Sequence, residues 1–360
     1  MIAKTTSLLL MLSIIIGIEA SPCHSQTVSS EIFKVSRDTI KVDIEGRLSR
    51  ALLIHDKYYA FYEVRDPLSN LPDKKFYIIE KDGKIEREIK VPEGINREFY
   101  YRLYYWRGRI IVNTDFRKGT YYLDQDKSEF IKQPEIVTVP LFEDENYQVT
   151  SQCNGEFGST IYFRDKLTRR IYAATSGCPY IVNKLANKYF VNTSYDGGIL
   201  EIENPQTAPR ETQHISLAPT SEFTTEITTK TIFNYNYLDS HFYIPTSFLA
   251  DGVLYHIFTS RHFEFSLDNK EKLTITNDSV KIGTISNGKF KPVYKLKDKF
   301  NMQLEQQLSP GYQICTFHTE EYTGVPFKKD IPPYKEAKYG LIEIMGNEIK
   351  IHYFVSKKRR

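Results

Sequence analysis

Two stretches of this chain are built alike: WRGRIIVNTDFRKGTYYLD at residues 106–124 and LANKYFVNTSYDGGILEIE at residues 185–203. Each opens on an apolar residue, makes a tight polar turn, and runs a strand ending in Val-Asn-Thr. A polar bend and a second strand ending in an acid follow. The same strand–turn–strand pattern recurs more loosely at the pivots His55-Asp56, Arg107-Gly108, Ala186-Asn187, Asp251-Gly252, Asn287-Gly288 and Gly346-Asn347. Gly, Asn and Asp accept the positive φ values of two-residue hairpin loops, so most of these pivots have a mechanism. Third strands are expected at 74–91, 119–133 and 262–269. Helical periodicity is nearly absent, with short helical candidates only at 298–307 and 334–338. The chain therefore predicts an all-β fold of short antiparallel meanders.

The N-terminus has the form of a leader. Lys4 supplies positive charge, residues 8–18 are apolar, and hydrophobicity stops at Glu19-Ala20-Ser21. That core is shorter than the ~20 residues of a membrane-spanning helix and matches a secretory signal over residues 1–25, cut after Ala20 or after Ser25. Pro22 before Cys23 is a poor fit to a lipid-anchor site. An exported protein of the periplasm, cell surface or extracellular space is expected, with no membrane span. Forty-eight basic against 45 acidic residues leave a formal charge of +3, which is no nucleic-acid footprint. The basic residues 357–360 read as a solvated tail. Twenty-six Tyr and 22 Phe against one Trp favour strands, where rings cover a pleated face.

Meanders of three or four strands, each unable to cover its own faces, point to radially arranged sheets. The chain resembles an exported bacterial β-propeller, one domain over residues 26–356. At about 50 to 60 residues per blade, six blades fit best, with five or seven allowed. An atypical blade is expected between the two Val-Asn-Thr units, and the cysteine-flanked hairpin is the candidate. Two packed β-sandwiches are the alternative. The resemblance stops at architecture: the WD dipeptide, the kelch glycine pair and the Asp-box are absent.

Cys153 and Cys178 flank an alternating hairpin whose turn lies near 165–168. A two-residue loop at Asp165-Lys166 makes the two cysteines face each other, so a Cys153–Cys178 disulfide is expected, against the alternative of two reduced core thiols. Cys315 is left as a buried thiol. In propellers ligands are met at one end of the axial channel, and the bends after each second strand fall on one face. They carry Asn113, Asp115, Phe116 and Arg117, then Asn192, Tyr195 and Asp196, then Arg261 and His262, a mixture suited to a protein, peptide or glycan ligand. Asn, Asp and Gly also occur there simply because bends need them.

His256 and His262 are the nearest histidine pair, six apart across a turn of one hairpin where they could approach each other, yet no HExxH or Cys-pair spacing completes a metal site, and none is expected. There is no Gly-x-Ser-x-Gly elbow and no Gly-rich phosphate cradle, so no cofactor is expected. The tyrosines at 100, 101, 104 and 105 suit a sugar platform or a core face, the core being favoured. The resulting expectation is a non-enzymatic binding or scaffold module. The rival is a glycan hydrolase or lyase with two carboxylates at the channel mouth. Asn192-Thr-Ser and Asn277-Asp-Ser are glycosylation sequons if the host is eukaryotic.

Overall fold

The computed structural model describes residues 32–64, 72–114, 119–153, 159–194, 198–206, 224–227, 229–234, 242–266, 272–319, 322–324 and 337–356. Contacts divide the chain into Met1–Ile32 and Phe33–Arg360, and everything that follows concerns the second unit. The expected leader, Cys23 and the basic tail lie outside the described residues. Among the described residues, no helix is long and apolar enough to cross a membrane.

The six pivots behave as their chemistry dictates. His55, Arg107, Ala186, Asp251, Asn287 and Gly346 all have φ between 49° and 57°. Each closes a two-residue loop, as the pairs Ile54↔Lys57, Trp106↔Arg109, Leu185↔Lys188, Ala250↔Val253, Ser286↔Lys289 and Met345↔Glu348 show. The strands they join form six sheets arranged as the blades of a propeller.

The first blade is Arg47–Ile54, Lys57–Val64, Asp73–Glu80 and Ile85–Ile89; the second is Tyr101–Trp106, Arg109–Thr114, Gly119–Asp124 and Glu129–Lys132. The third runs Phe142–Glu143, Tyr147–Cys153, Ser159–Asp165 and Ile171–Ser176, with Thr224–Glu226 parallel on its outer edge. This is the atypical blade between the two Val-Asn-Thr units. The fourth blade is Pro179–Leu185, Lys188–Thr193, Ile199–Ile202 and Lys230–Phe233. The fifth is Phe242–Ala250, Val253–Ser266, Ser279–Ser286 and Lys289–Lys299. In the sixth, Asn301–Ser309, Tyr312–His318, Tyr339–Met345 and Glu348–Ser356 are joined by the first strand among the described residues, Lys34–Val42, which pairs parallel to Glu348–Ser356.

Both faces of a blade are covered by neighbours, and this is why the aromatic strands do not alternate cleanly between buried and exposed. In Lys57–Val64 five consecutive residues, Tyr58 to Tyr62, are buried. Phe61 meets Phe76 within its own blade at 4.5 Å between ring centroids and Tyr101 of the second blade at 5.1 Å. Ring pairs at this spacing add to the area term that holds blades together.

Three expectations are corrected. Residues 301–309 are the innermost strand of the sixth blade: helix-forming Glu and Gln are overridden by pairing with Tyr312–His318. The only helix among the described residues is the single turn Glu93–Asn96. Residues 262–266 are no third strand; they prolong the 14-residue Val253–Ser266, whose far half pairs with Lys272–Asn277. The cysteine hairpin also has another register, Arg164↔Ile171 and Ser159↔Ser176, because its turn is wider than two residues. The Asp165 carboxylate accepts the Leu167 and Thr168 N–H groups at 2.9 and 2.7 Å, which holds that turn open.

The disulfide forms nonetheless. Cys153 ends the strand beside Ser159–Asp165, and Cys178, at φ 54°, has left the strand on the other side, bringing the Cα atoms to 4.7 Å. Cys315 is free and buried. The disulfide closes a loop of sequence separation 25 at the passage from third to fourth blade. Replacing both cysteines with alanine is expected to lower unfolding free energy by about 3 kcal/mol, measured by urea denaturation; under reducing conditions wild type and variant should converge.

Candidate functional site

In four blades antiparallel pairing sets the later part of the second strand beside the start of the first: Tyr101 opposite Thr114, Pro179 opposite Thr193, Phe242 opposite Ser260, Asn301 opposite His318. The face expected from the bends is therefore also the face where inner strands begin. An axial cavity of about 650 Å³ is lined there by Ser49, Arg50, Tyr100, Arg102, Tyr180, Ser194, Arg261 and Gln303, among others. A second cavity of about 490 Å³ lies at the pivots, against His55, Trp106 and Tyr312.

Inner strands are sheet edges, and edges carry unpaired backbone groups. Side chains from other blades occupy several of them. Gln306 donates Nε2 to the Tyr105 carbonyl at 2.7 Å while its Oε1 accepts the Tyr105 N–H at 2.7 Å. The Tyr243 hydroxyl does the same at Met302, donating to the carbonyl and accepting the N–H at 3.1 Å each. Asn183 donates to the Ser247 carbonyl at 3.0 Å, and Tyr180 donates its hydroxyl to that of Ile244.

One ion pair crosses the cavity wall. Arg50 of the first blade donates to Glu305 of the sixth at 3.1 Å, and Thr316 donates its hydroxyl to the same carboxylate oxygen. Burial pushes the Glu305 carboxyl above its ordinary range, while the Arg50 guanidinium and the Thr316 hydroxyl pull it back. Burial also opposes the charge on Arg50, but the Glu305 carboxylate and Tyr101 together outweigh it and raise the guanidinium further. Below the pair, Tyr101 shares a 2.7 Å hydrogen bond with Ser49 and lies under Arg50 and Lys74 at 5.8 and 5.3 Å.

The repeated Val-Asn-Thr is a structural device. Thr114 Oγ1 accepts the Gly119 N–H at 3.0 Å, and Thr193 Oγ1 accepts the Gly198 N–H at 3.1 Å, so the same clamp spans both bends. Asn113 donates to the Val137 carbonyl and accepts from the Thr120 hydroxyl, both at 2.9 Å. Asn192 is buried and donates to Ser247 Oγ at 2.7 Å; that oxygen lies 2.7 Å from His256 Nδ1. Burial drives the His256 imidazole down to about 3, so it stays neutral.

Arg261 sits on the cavity wall and donates Nε to Asn277 Oδ1 at 3.3 Å. His262 is exposed and pairs with Asp278 at 2.9 Å. His256 and His262 stand on one strand, about 20 Å apart at ~3.3 Å per residue, and not across a turn. Among the described residues no three metal-ligating side chains converge. Asp115, Phe116, Arg117, Tyr195 and Asp196 lie outside the described residues. Both sequon asparagines, Asn192 and Asn277, are buried.

Arg50, Arg102, Tyr180, Gln303 and Glu305 were not singled out in the sequence. The signal that finds them is position: they stand near the start of an inner strand, opposite or beside the end of a second strand. Of the four tyrosines, Tyr100 is exposed on the rim, Tyr101 is buried, Tyr104 lines the cavity and Tyr105 reaches the second cavity.

No protein-family model matches the chain, and no curated protein matches it. Among solved structures, a Bacteroides uniformis protein provisionally described as a 6-phosphogluconolactonase aligns at TM-score 0.34 and 11% identity, over 78% of this chain and 80% of its own. A sucrose-6-phosphate hydrolase from Lactobacillus gasseri aligns at 0.33 and 10%, over 86% of this chain and 61% of its own. An endo-arabinase from Bacteroides thetaiotaomicron aligns at 0.24 and 13%, over 81% and 98%. Likeness at this level is too distant to say anything of chemistry here.

Two outcomes follow from the buried polar groups. His256 binds a proton in the unfolded chain below its ordinary 6.5 but not in the folded one until about 3. Stability conferred by the neutral ring is therefore complete above 6.5 and lost as pH falls, at up to about 1.4 kcal/mol per pH unit. His256→Gln should remove that slope from urea midpoints between pH 4 and 6. Arg50→Met, which strands Glu305, should cost about 3–5 kcal/mol, and adding Glu305→Leu should recover most of it.

Proposed function

We propose that this protein is a non-catalytic binding module that takes a polar ligand into the axial cavity at the face where the inner strands begin. The observation that carries this reading is the cavity wall. Its volume of about 650 Å³ is in the range of small-ligand sites, and tyrosine rings, guanidiniums, amides and hydroxyls line it. Glycoside hydrolysis needs two carboxyl groups flanking the scissile bond. Glu305 is the single carboxylate among the described lining residues, and it is engaged by Arg50 and Thr316.

Export suits this reading, because the Cys153–Cys178 disulfide persists only in an oxidising compartment. The periplasm, cell surface or extracellular space is the proposed location.

Gln303 is exposed and lines the cavity, so Gln303→Trp fills it from a position that carries no packing. The purified protein should be retained on members of an immobilised panel of oligosaccharides and peptides without releasing product. Gln303→Trp should melt within about 2 °C of wild type yet lose retention at least about tenfold, roughly 1.4 kcal/mol. Unaltered retention by the variant moves the site elsewhere; reducing-sugar release makes the protein an enzyme.

A further inference from the structure

We infer that the second cavity, at the pivots, is a binding site of its own, and that it takes a small amphipathic acid: a carboxylate on an aromatic or short acyl body. This goes beyond the reading of the axial cavity and does not depend on it. The first support is what the turns carry. Among the six pivots, Asp251, Asn287 and Gly346 bring turn chemistry, and Ala186 brings only a methyl group. His55 and Arg107 place large functional side chains at φ 49° and 50°, and these two line this cavity. Asn or Gly would hold a left-handed turn with less strain than a bulky arginine, so the turn itself does not account for the guanidinium. Beside it stands Trp106, the chain's single tryptophan. Tyr105, Leu308 and Tyr312 of the same lining pack against the core, whereas Trp106 belongs to none of the described core clusters. Its half-buried ring carries the Arg107 guanidinium at 4.4 Å. Stacking of this kind steadies a guanidinium and leaves its in-plane N–H groups for an oxyanion.

The second support separates an acid from a sugar. A sugar brings many O–H donors and needs carboxylates and amides to accept them. Glu143, the one carboxylate of the described lining, pairs with Lys166 at 2.7 Å, and Gln306 has both ends of its amide on Tyr105. Gln307 donates to Asn183 at 3.1 Å, which leaves its Oε1 as a buried acceptor. The groups still free are mainly donors: the Ser309 hydroxyl, Trp106 Nε1, and Arg107, which has no hydrogen bond or ion pair among the described residues. Below them Leu53, Ile54 and Phe142 form an apolar floor. A free cationic fork over an apolar floor, in a cavity of about 490 Å³, suits one oxyanion on an apolar body.

Trp106, having no second tryptophan to mask it, reports on the site directly. The full chain is titrated, with tryptophan emission followed, against hexanoate and hexanamide, phenylpropionate and phenylpropanamide, a tripeptide ending in phenylalanine as free acid and as amide, and maltohexaose. At least one small acid should change the emission saturably, bind at least about tenfold tighter than its amide, and weaken several-fold between about 50 and 500 mM salt. Arg107→Gln, at an exposed position, should melt like wild type and erase most of that preference. Should the variant misfold, the acid-to-amide ratio and the salt series on the wild type decide the matter. Amides that bind as tightly as acids, or a preference that survives Arg107→Gln, overturn the anion assignment. Binding of the tripeptide acid alone overturns the small-molecule assignment and gives the carboxylate to a chain end. A response to maltohexaose alone, or no saturable response, overturns the site. Retention by the axial cavity is read separately, through Gln303→Trp, so the two readings fail independently.

Discussion

Lys34–Val42 runs parallel to Glu348–Ser356 in unbroken register, from Lys34↔Glu348 to Val42↔Ser356, and the ring depends on that pairing. A blade buries apolar side chains on two faces and can satisfy neither alone, so six blades are stable only when the last meets the first. Here the closure is made by backbone hydrogen bonds and reinforced at its sides. Arg37 pairs with Asp298 at 2.6 Å, Tyr353 donates its hydroxyl to the same carboxylate, and Ser356 donates to the Ile44 carbonyl at 2.7 Å. Phe33, fully buried, sets its ring edge-on to Tyr255 at 5.0 Å and Tyr294 at 5.7 Å of the fifth blade. Burial pushes the Tyr353 hydroxyl up and the Asp298 carboxylate adds to the effect, so it stays protonated as a donor.

The axial cavity is a consequence of closing that ring. Six twisted sheets meeting at an axis bring six edge strands together, and each edge is a liability unless its backbone groups are occupied. Gln306, Tyr243, Tyr180 and Asn183 meet that requirement by reaching from one blade to another, so the same side chains that suppress edge pairing also fix the blades relative to one another. What remains available to a ligand is then the side-chain inventory. That is how a constraint on the backbone shapes the chemistry of the wall.

The parts legible in the sequence are those governed by local chemistry. Positive-φ pivots such as Asp251-Gly252 and Asn287-Gly288 announce two-residue hairpins wherever they stand. The parts that were not legible depend on partners distant in sequence. Residues 298–307 look helical because Glu and Gln favour helices, and the strand at 312–318 makes those from 301 on extended. The cysteine register depended on a carboxylate, Asp165, holding its turn open. Asn192 reads as a surface residue of a bend, but its partner Ser247 comes from the next blade and draws it inside. Arg50 and Glu305 are far apart in the chain, and nothing local to either marks them as a pair.

Asn113 and Asn192 show why a repeated motif need not be a ligand motif. They occupy the same place in two blades, and the Thr after each clamps the bend in the same way, yet the two asparagines reach different partners: a backbone carbonyl and the Thr120 hydroxyl in one, a buried serine in the other. A recognition motif would keep its outward chemistry and let the inward contacts vary. Here the conserved element is the inward one, the threonine clamp, and the asparagine is spent on whatever the adjoining blade offers. The site residues are therefore to be sought among side chains with no counterpart in the repeat, and Arg50, Arg102, Gln303 and Glu305, on the inner strands of the first, second and sixth blades, meet that condition.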